Sequence, residues 1–359
     1  MSDSIVAETA TRIFRDLCDP QAVIKAPDES WKARAWSALE EAGLPLAWVP
    51  DTLGGAGADV ADGFAVLRET GRFAVALPVA ETLLAGWLLS RVGISSPGGP
   101  MSCTTRAGRP VTLAANGTIN GRLKGIPFGR AAGHLALLAQ RESGSWSAVL
   151  VETSAGKITH GATLAGDPLD GIILEGVRPL AIKDAPAGLH EDMLLMGAAA
   201  RAMQMTGALE AILDIAVSYA NERVAFERRI AKFQAVQHNL ARLAGEVAAS
   251  VAAAGSAAEA FAAAFSSPSP AKAEGDPGLF LEAAAAKIRV GEAAAEGAGI
   301  AHQVLGAIGF TQEHTLHRFT QRLWSWRDDF GNESFWAVKL GNRVAAQGAD
   351  ALWPMLAAR

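Results

Sequence analysis

Apolar residues recur along this chain with two different periods, and the change of period divides it. Up to about residue 98 the spacing is helical. Phe64–Phe73 carries apolar side chains at three- and four-residue steps, and Glu81–Val92 continues with Leu83, Leu84, Trp87 and Leu88. Ahead of these lie Gly43–Pro50 and the glycines of Leu53–Gly57. Lacking a phosphate-loop lysine with its Ser/Thr, and following no strand, they read as a tight turn between helices. From about 99 to 184 the runs shorten to Val111–Ala114, His134–Gln140, Trp146–Glu152 and Gly171–Glu175. The turn signals Asn116-Gly117, Asn120-Gly121 and Ser143-Gly144 punctuate them, which predicts a small antiparallel barrel or sandwich. Helical spacing then returns for good. It covers Leu189 to about Tyr219, Gln234–Phe265, Leu279–Leu305, and Leu316–Ala346 with an interruption near Asp329–Asn332. The second of these has an apolar stripe at Val236, Leu240, Leu243, Val247 and Val251. The breaker-rich stretch Ser266–Gly278 separates it from the third.

This order predicts an α+β chain of three domains: an N-terminal helical domain (1–98), a middle β-domain (99–184) and a C-terminal helical bundle (185–359). With 359 residues, half of them hydrophobic, the core is ample. A net charge of −5 argues against a duplex nucleic-acid binder and against attraction to anionic membranes. Cys18 and Cys103 are too few for a disulfide framework or a zinc cluster and read as small buried hydrophobes. His314 and His317 share a helical face near Glu313 without a third ligand, so no metal is expected. The N-terminus lacks a basic start followed by an apolar run, and Phe73–Val92 is broken by Pro78 and Glu81. The expectation is a soluble cytoplasmic protein without membrane insertion.

The chemistry concentrates in Tyr219, Arg223, Phe226, Ile230, Phe233, Gln234, Gln237 and Leu240, mostly at helical steps. Spacing alone is equally met by an amphipathic helix pair with a charged solvent face. An arginine, an aromatic ring and an amide among apolar anchors also suit an anionic, aromatic cofactor. The stretch resembles the acyl-CoA dehydrogenase pattern Y-x-x-x-R-x-x-F-G-x-x-I-x-x-F-Q-x-x-Q-x-x-L-A. Gln303–Thr311 is similar to the same family's Q-x-x-G-G-x-G-[YF] segment, with Ala307 at the middle glycine. Gly43–Gly57 resembles its N-terminal G-L-x-x-x-x-V-P-x-x-x-G-G-x-G.

The resemblance implies an acyl-CoA dehydrogenase fold ending in a four-helix bundle, and FAD as cofactor. It places Arg223 on the pyrophosphate, Phe226 against the adenosine half, and Phe233 with Gln234 in the adjoining wall. Gln303, Gly306 and Gly309 would reach the cofactor across a subunit boundary, which implies a homo- or hetero-oligomer, a dimer or tetramer. Three departures stand out. Glu227 replaces a glycine whose positive φ a glutamate tolerates poorly. The acidic Gly-Ser-rich strand of the family is reduced to Ser102–Thr105. Its Trp-Ile-Thr-Asn segment beside the flavin ring is replaced by Gly125–Gly129, where Phe128 offers an aromatic face and Pro127 lacks an amide donor.

The implied reaction is FAD-dependent α,β-desaturation of an acyl-CoA thioester, with an electron-transfer flavoprotein as acceptor. A carboxylate removes the Cα proton while Cβ delivers a hydride to flavin. The family's Glu-Gly pair aligns with Phe330-Gly331 and its alternative base position with Gly197, so neither carries a carboxylate. Asp329 abuts the first position and is the candidate base; Asp328 and Asp329 equally suit solvated charges paired with Arg322 or Arg327. Trp324, Trp326 and Trp336 read as core or interface anchors. The small-residue run Gly197–Ala202 leaves room for a bulky acyl group. The alternative is a non-catalytic partner subunit that completes the FAD site of a heteromer, as in the heterotetrameric acyl-CoA dehydrogenases of steroid side-chain breakdown.

Overall fold

The computed structural model describes residues 4–26, 28–104, 108, 110–265 and 277–357. Thr105 and most of the breaker-rich connection, residues 266–276, lie outside the described residues. The N-terminal helices are α1 (Ile5–Leu17), α2 (Pro20–Lys25), α3 (Ser30–Glu41), α4 (Val60–Arg72) and α5 (Val79–Ser90). Ser4 caps α1, its hydroxyl oxygen accepting the Ala7 amide at 3.1 Å. The Gly-rich segment is the expected turn, with Gly54 and Gly57 at φ +90° and +60°. Helix α5 is apolar on nearly every side and buried from Val79 to Leu89, so Glu81 and Thr82 are carried into the interior with it.

The middle module comprises β1 (Met101–Cys103), β2 (Val111–Leu113), β3 (Ile119–Pro127), β4 (His134–Arg141), β5 (Trp146–Glu152), β6 (Lys157–Thr159), β7 (Leu169–Val177) and β8 (Ala181–Asp184). They pair in the order β6-β7-β3-β2-β4-β5-β8, with β1 also beside β4. One feature corrects the sequence expectation of an antiparallel module. The sheet is mixed, because β1 and β2 both run parallel to β4. Of the two expected forms it is sandwich-like rather than a closed barrel, since the edge strands β6 and β8 do not pair with each other. Asn120-Gly121 is not a turn but part of β3, and the Asn120 side chain accepts the Gly176 amide at 2.7 Å. Strand β3 escapes a sequence reading because Gly121 and Gly125 interrupt its alternation and its ladder with β7 shifts register twice.

The C-terminal domain holds α6 (Leu189–Glu222), a hairpin of β9 (Val224–Ala225) and β10 (Arg228–Arg229), then α7 (Gln234–Phe265), α8 (Pro277–Leu305), α9 (Leu316–Trp326), α10 (Glu333–Gln347) and α11 (Leu352–Ala357). Helices α6, α7 and α8 pack on one another; α9 packs on α6 and α8, and α10 on α8. By length and composition α7 alone among the described helices is apolar enough to cross a membrane. Here it lays Leu243, Val247 and Phe261 into the bundle.

Helix α6 meets α4 backbone to backbone. A Cβ on Gly207 would lie 1.9 Å from the Arg68 carbonyl oxygen, and one on Gly71 1.8 Å from that of Gln204. Arg68 Nε donates to Glu210 Oε2 at 2.8 Å beside this crossing. Gly207→Val is therefore expected to lower the unfolding free energy by roughly 1–3 kcal/mol or more. Gly245→Ala, on α7 with open space around it, should raise it by about 0.4–1 kcal/mol. Chemical denaturation of the two variants checks the pair, and similar midpoints for both would contradict the close crossing.

Candidate active site and cofactor surface

The turn between α9 and α10 carries the candidate base and is fixed from several directions. Phe330 sits at φ +55° and Gly331 at +86°. A left-handed Phe costs roughly 1–2 kcal/mol, so its surroundings must hold it. Lys287 Nζ donates to the carbonyls of Arg327 (2.6 Å) and Gly331 (2.8 Å). Trp336 Nε1 donates to the Phe330 carbonyl at 3.0 Å. Asn332 then caps α10, accepting the Phe335 amide at 3.0 Å.

Held this way, the Phe330 ring packs directly on Gly197. A Cβ on Gly197 would stand 2.2 Å from Phe330 Cδ1, and Phe330 is only 3% exposed. The two positions that sequence alignment marked for a carboxylate thus face each other, one filled by a phenyl ring and the other by nothing.

Asp329 turns the other way. Its Oδ2 accepts Arg201 Nε at 3.0 Å, while Arg201 Nη2 donates to Glu81 Oε1 and Nη1 to Gln204 Oε1, both at 2.5 Å. Gln204 passes the network on to Thr70 Oγ1 at 3.1 Å. Burial works against the Arg201 charge, but Glu81 and Asp329 outweigh it and hold the guanidinium more firmly protonated than usual. The partners differ from those expected for the acidic pair: Arg322 bridges to Asp167 at 2.6 Å and Arg327 to Glu333, while Asp328 is exposed. Trp326 and Trp336 are buried, and Trp324 is 36% exposed. Arg201 was missed, although a lone charge in an Ala-Met-Gly run signals a buried partner, as does Glu81 in its own apolar helix.

Two cavities flank this turn. The larger, about 980 Å³, lies between the sheet and the start of α6, walled by Leu123, Ile173, Leu174, Met193, Phe330 and Phe335. The exposed Arg122 and Lys124 lie along it, and His190 stacks on Trp146 at 5.1 Å. Its size suits a substantial organic ligand. The smaller, about 20 Å³ among Glu81, Arg201, Arg322 and Asp329, has room for one water.

The residues assigned to FAD lie on two surfaces. Arg223, Phe226, Phe233 and Gln234 belong to the β9–β10 hairpin and the start of α7. Phe226 and Glu227 both take positive φ, +52° and +66°. Glu227 thus keeps the turn that a glycine would have made easy, because a two-residue hairpin needs that twist. Phe226 is left 90% exposed, edge-on to Phe233, whose ring also lies under Arg228 at 4.1 Å. Arg223, Arg228, Arg229 and Lys232 are all exposed here, a donor set matched to a diphosphate. Gln303, Gly306 and Gly309 occupy the end of α8 and the turn after it. Gly306 has φ +64° with open space where a Cβ would stand, and the next ring, Phe310, is 73% exposed and stacked on His302. Among the described residues no hydrogen bond, ion pair or ring contact joins the two surfaces. On the sheet side Ser102 Oγ donates to the Pro127 carbonyl at 2.5 Å, and Phe128 is buried rather than presented as an open face.

Burial pushes the Lys287 ammonium from 10.5 down to about 8. Between those pH values the unfolded chain binds the extra proton, so stability should rise as pH increases, by about 3 kcal/mol in all. Below pH 8 the lysine is charged in both states and contributes no slope. Denaturant titrations at pH 7.5 and 9.5 check this, and Lys287→Met should lose that rise.

The acyl-CoA dehydrogenase C-terminal domain matches residues 189–326. Acyl-CoA dehydrogenase IpdE2 of Mycobacterium tuberculosis is 27% identical over 325 residues, 89% of either chain. Acyl-CoA dehydrogenase FadE34 of the same organism is 29% identical over 82% of this chain and 40% of its own. The ChsE4–ChsE5 complex of M. tuberculosis superposes with a TM-score of 0.84 at 22% identity, covering 96% of this chain and 97% of the other. The Tcur3481–Tcur3483 steroid acyl-CoA dehydrogenase variant gives 0.82 at 23% identity, covering 95% and 97%. Residues 189–326 thus form an acyl-CoA dehydrogenase C-terminal domain, and the chain as a whole shares the fold of these solved structures.

Proposed function

We propose that this chain works in FAD-dependent α,β-desaturation of an acyl-CoA thioester as one subunit of a heteromeric dehydrogenase whose other chain supplies the catalytic carboxylate. The observation that carries this is the Phe330 ring seated on Gly197: both candidate base positions are occupied without a carboxylate, and the adjoining Asp329 is committed to Arg201. A structural relative that is itself a two-protein complex supports the reading. So do two exposed cofactor surfaces that do not meet within one chain.

When bound, FAD supplies the electron sink that accepts hydride from the substrate β-carbon. Arg223 would hold its pyrophosphate, with Phe226, Phe233 and Gln234 beside the dinucleotide. Gln303, Gly306 and Gly309 would complete a site on a neighbouring subunit. The large cavity would take the acyl-CoA, and an electron-transfer flavoprotein would be the acceptor. A bulky apolar acyl group, as in steroid breakdown, suits its volume and walls. The assembly would be soluble and cytoplasmic.

Purified alone, the chain is expected to retain little flavin and desaturate no acyl-CoA. Co-expressed with a longer family member that carries the Glu-Gly pair, it should yield a yellow complex bleached by acyl-CoA. Arg223→Ala in that complex should weaken FAD retention roughly ten- to hundredfold, the loss of a charge-assisted contact. Full activity of the isolated chain would refute the subunit reading. In that event Asp329→Asn, assayed where circular dichroism shows the variant folded despite its lost ion pair with Arg201, and with turnover lost about a thousandfold, would identify Asp329 as this chain's own base.

A further inference from the structure

Consecutive residues of one turn face different cavities: Asp329 lines the water-sized polar chamber and Phe330 the large apolar one. The turn is therefore a partition, and the Phe330 ring is its face toward the large cavity. We infer that Phe330 is the specificity-determining stop that sets how far an apolar ligand group extends into this cavity. The identity of the ligand's polar end rests on the acyl-CoA reading; the stop itself rests on geometry.

Three observations carry the inference. First, the ring has little freedom. Its backbone is pinned by Lys287 on either side and by Trp336 at its carbonyl. The preceding Asp329 is tied to Arg201, which is itself tied to Glu81 and Gln204. Second, the ring occupies its place only because residue 197 has no side chain; a methyl there would overlap Cδ1 and Cε1 at 2.2 and 2.3 Å. A phenyl fitted into a glycine notch resists displacement by a ligand. Third, the cavity is polarised. The cations Arg122 and Lys124 are exposed on β3, with Glu175 exposed on β7 beside them, whereas Phe330 and Met193 are 3% and 6% exposed. An anionic headgroup stays with the solvated cations, and the apolar tail is driven toward the buried end, where Phe330 stands.

The ligand class is thus an apolar chain or ring system with an anionic headgroup, and affinity should grow with tail length until the tail meets the ring. Each added methylene should tighten binding roughly threefold to fourfold before that point and not after it.

The test uses unbranched alkyl-CoA thioethers of increasing length, which cannot be desaturated as thioesters are, alongside free n-alkanoates of the same lengths. Binding is measured calorimetrically on the full-length chain and on its assembled complex. In the wild type, affinity should level off at a defined length. Phe330→Ala should move that length longer by two or more carbons, and Gly197→Ala, which forces the ring into the cavity, should move it shorter. Phe330→Leu serves where the alanine variant does not fold and should give an intermediate length. An unchanged length in folded Phe330→Ala or Phe330→Leu overturns the inference, as does a wild type that binds no probe of either series. Thioethers that bind no tighter than alkanoates, with the length still moving with residue 330, would remove the CoA reading and leave the stop in place.

Discussion

Arg201 is the charge around which the described interior is arranged. It is 2% exposed, and its guanidinium reaches Glu81 from the N-terminal helices, Gln204 from its own helix, and Asp329 from the turn after α9. Removing one member of a buried pair of this kind costs about 3–5 kcal/mol, because the remaining charge is left uncompensated. Arg201, Glu81 and Asp329 therefore form a unit that cannot be altered one residue at a time. Beside them Arg322 and Asp167 join α9 to the β-module. All three layers thus meet in a patch of polar chemistry inside an otherwise apolar junction.

That junction constrains what the adjoining turn can do chemically. A carboxylate that accepts from a buried guanidinium is poorly placed to abstract a proton, and the residue facing the large cavity is a phenyl ring. The chain keeps the acyl-CoA dehydrogenase architecture and a sizeable ligand cavity, and among the described residues the only acidic group lining that cavity is the exposed Glu175. The residues proposed to hold the cofactor lie outside, on the strained Phe226–Glu227 turn with its cluster of arginines and on the glycine turn after α8. Aromatic rings at 90% and 73% exposure, Phe226 and Phe310, stand where the proposed subunit and cofactor contacts would cover them.

Much of the fold was legible because the helices have long, strongly periodic patterns. Gln234–Phe265 is helical up to the last described residue before the breaker-rich stretch, and the last helical segment breaks where Asp329–Asn332 suggested. Strand β3 was hidden by glycines and bulges, and the parallel pairing of β1 and β2 with β4 leaves no local signature. At the site, sequence alignment found both positions lacking a carboxylate but not that they touch, since the Phe330–Gly197 contact spans 133 residues of chain. Nor did it find Arg201. An isolated charge among alanines announces that it needs a partner without saying which of many carboxylates that partner is.

The reciprocal notch of Gly71 and Gly207 has a mechanical consequence. Two helices whose backbones touch have no side-chain layer to slide on, so α4 and α6 shift together or not at all. One wall of the large cavity belongs to α6, and its far wall to the sheet. Admission of a bulky guest then falls to the strands, with the helical scaffold serving as the anvil against which they close.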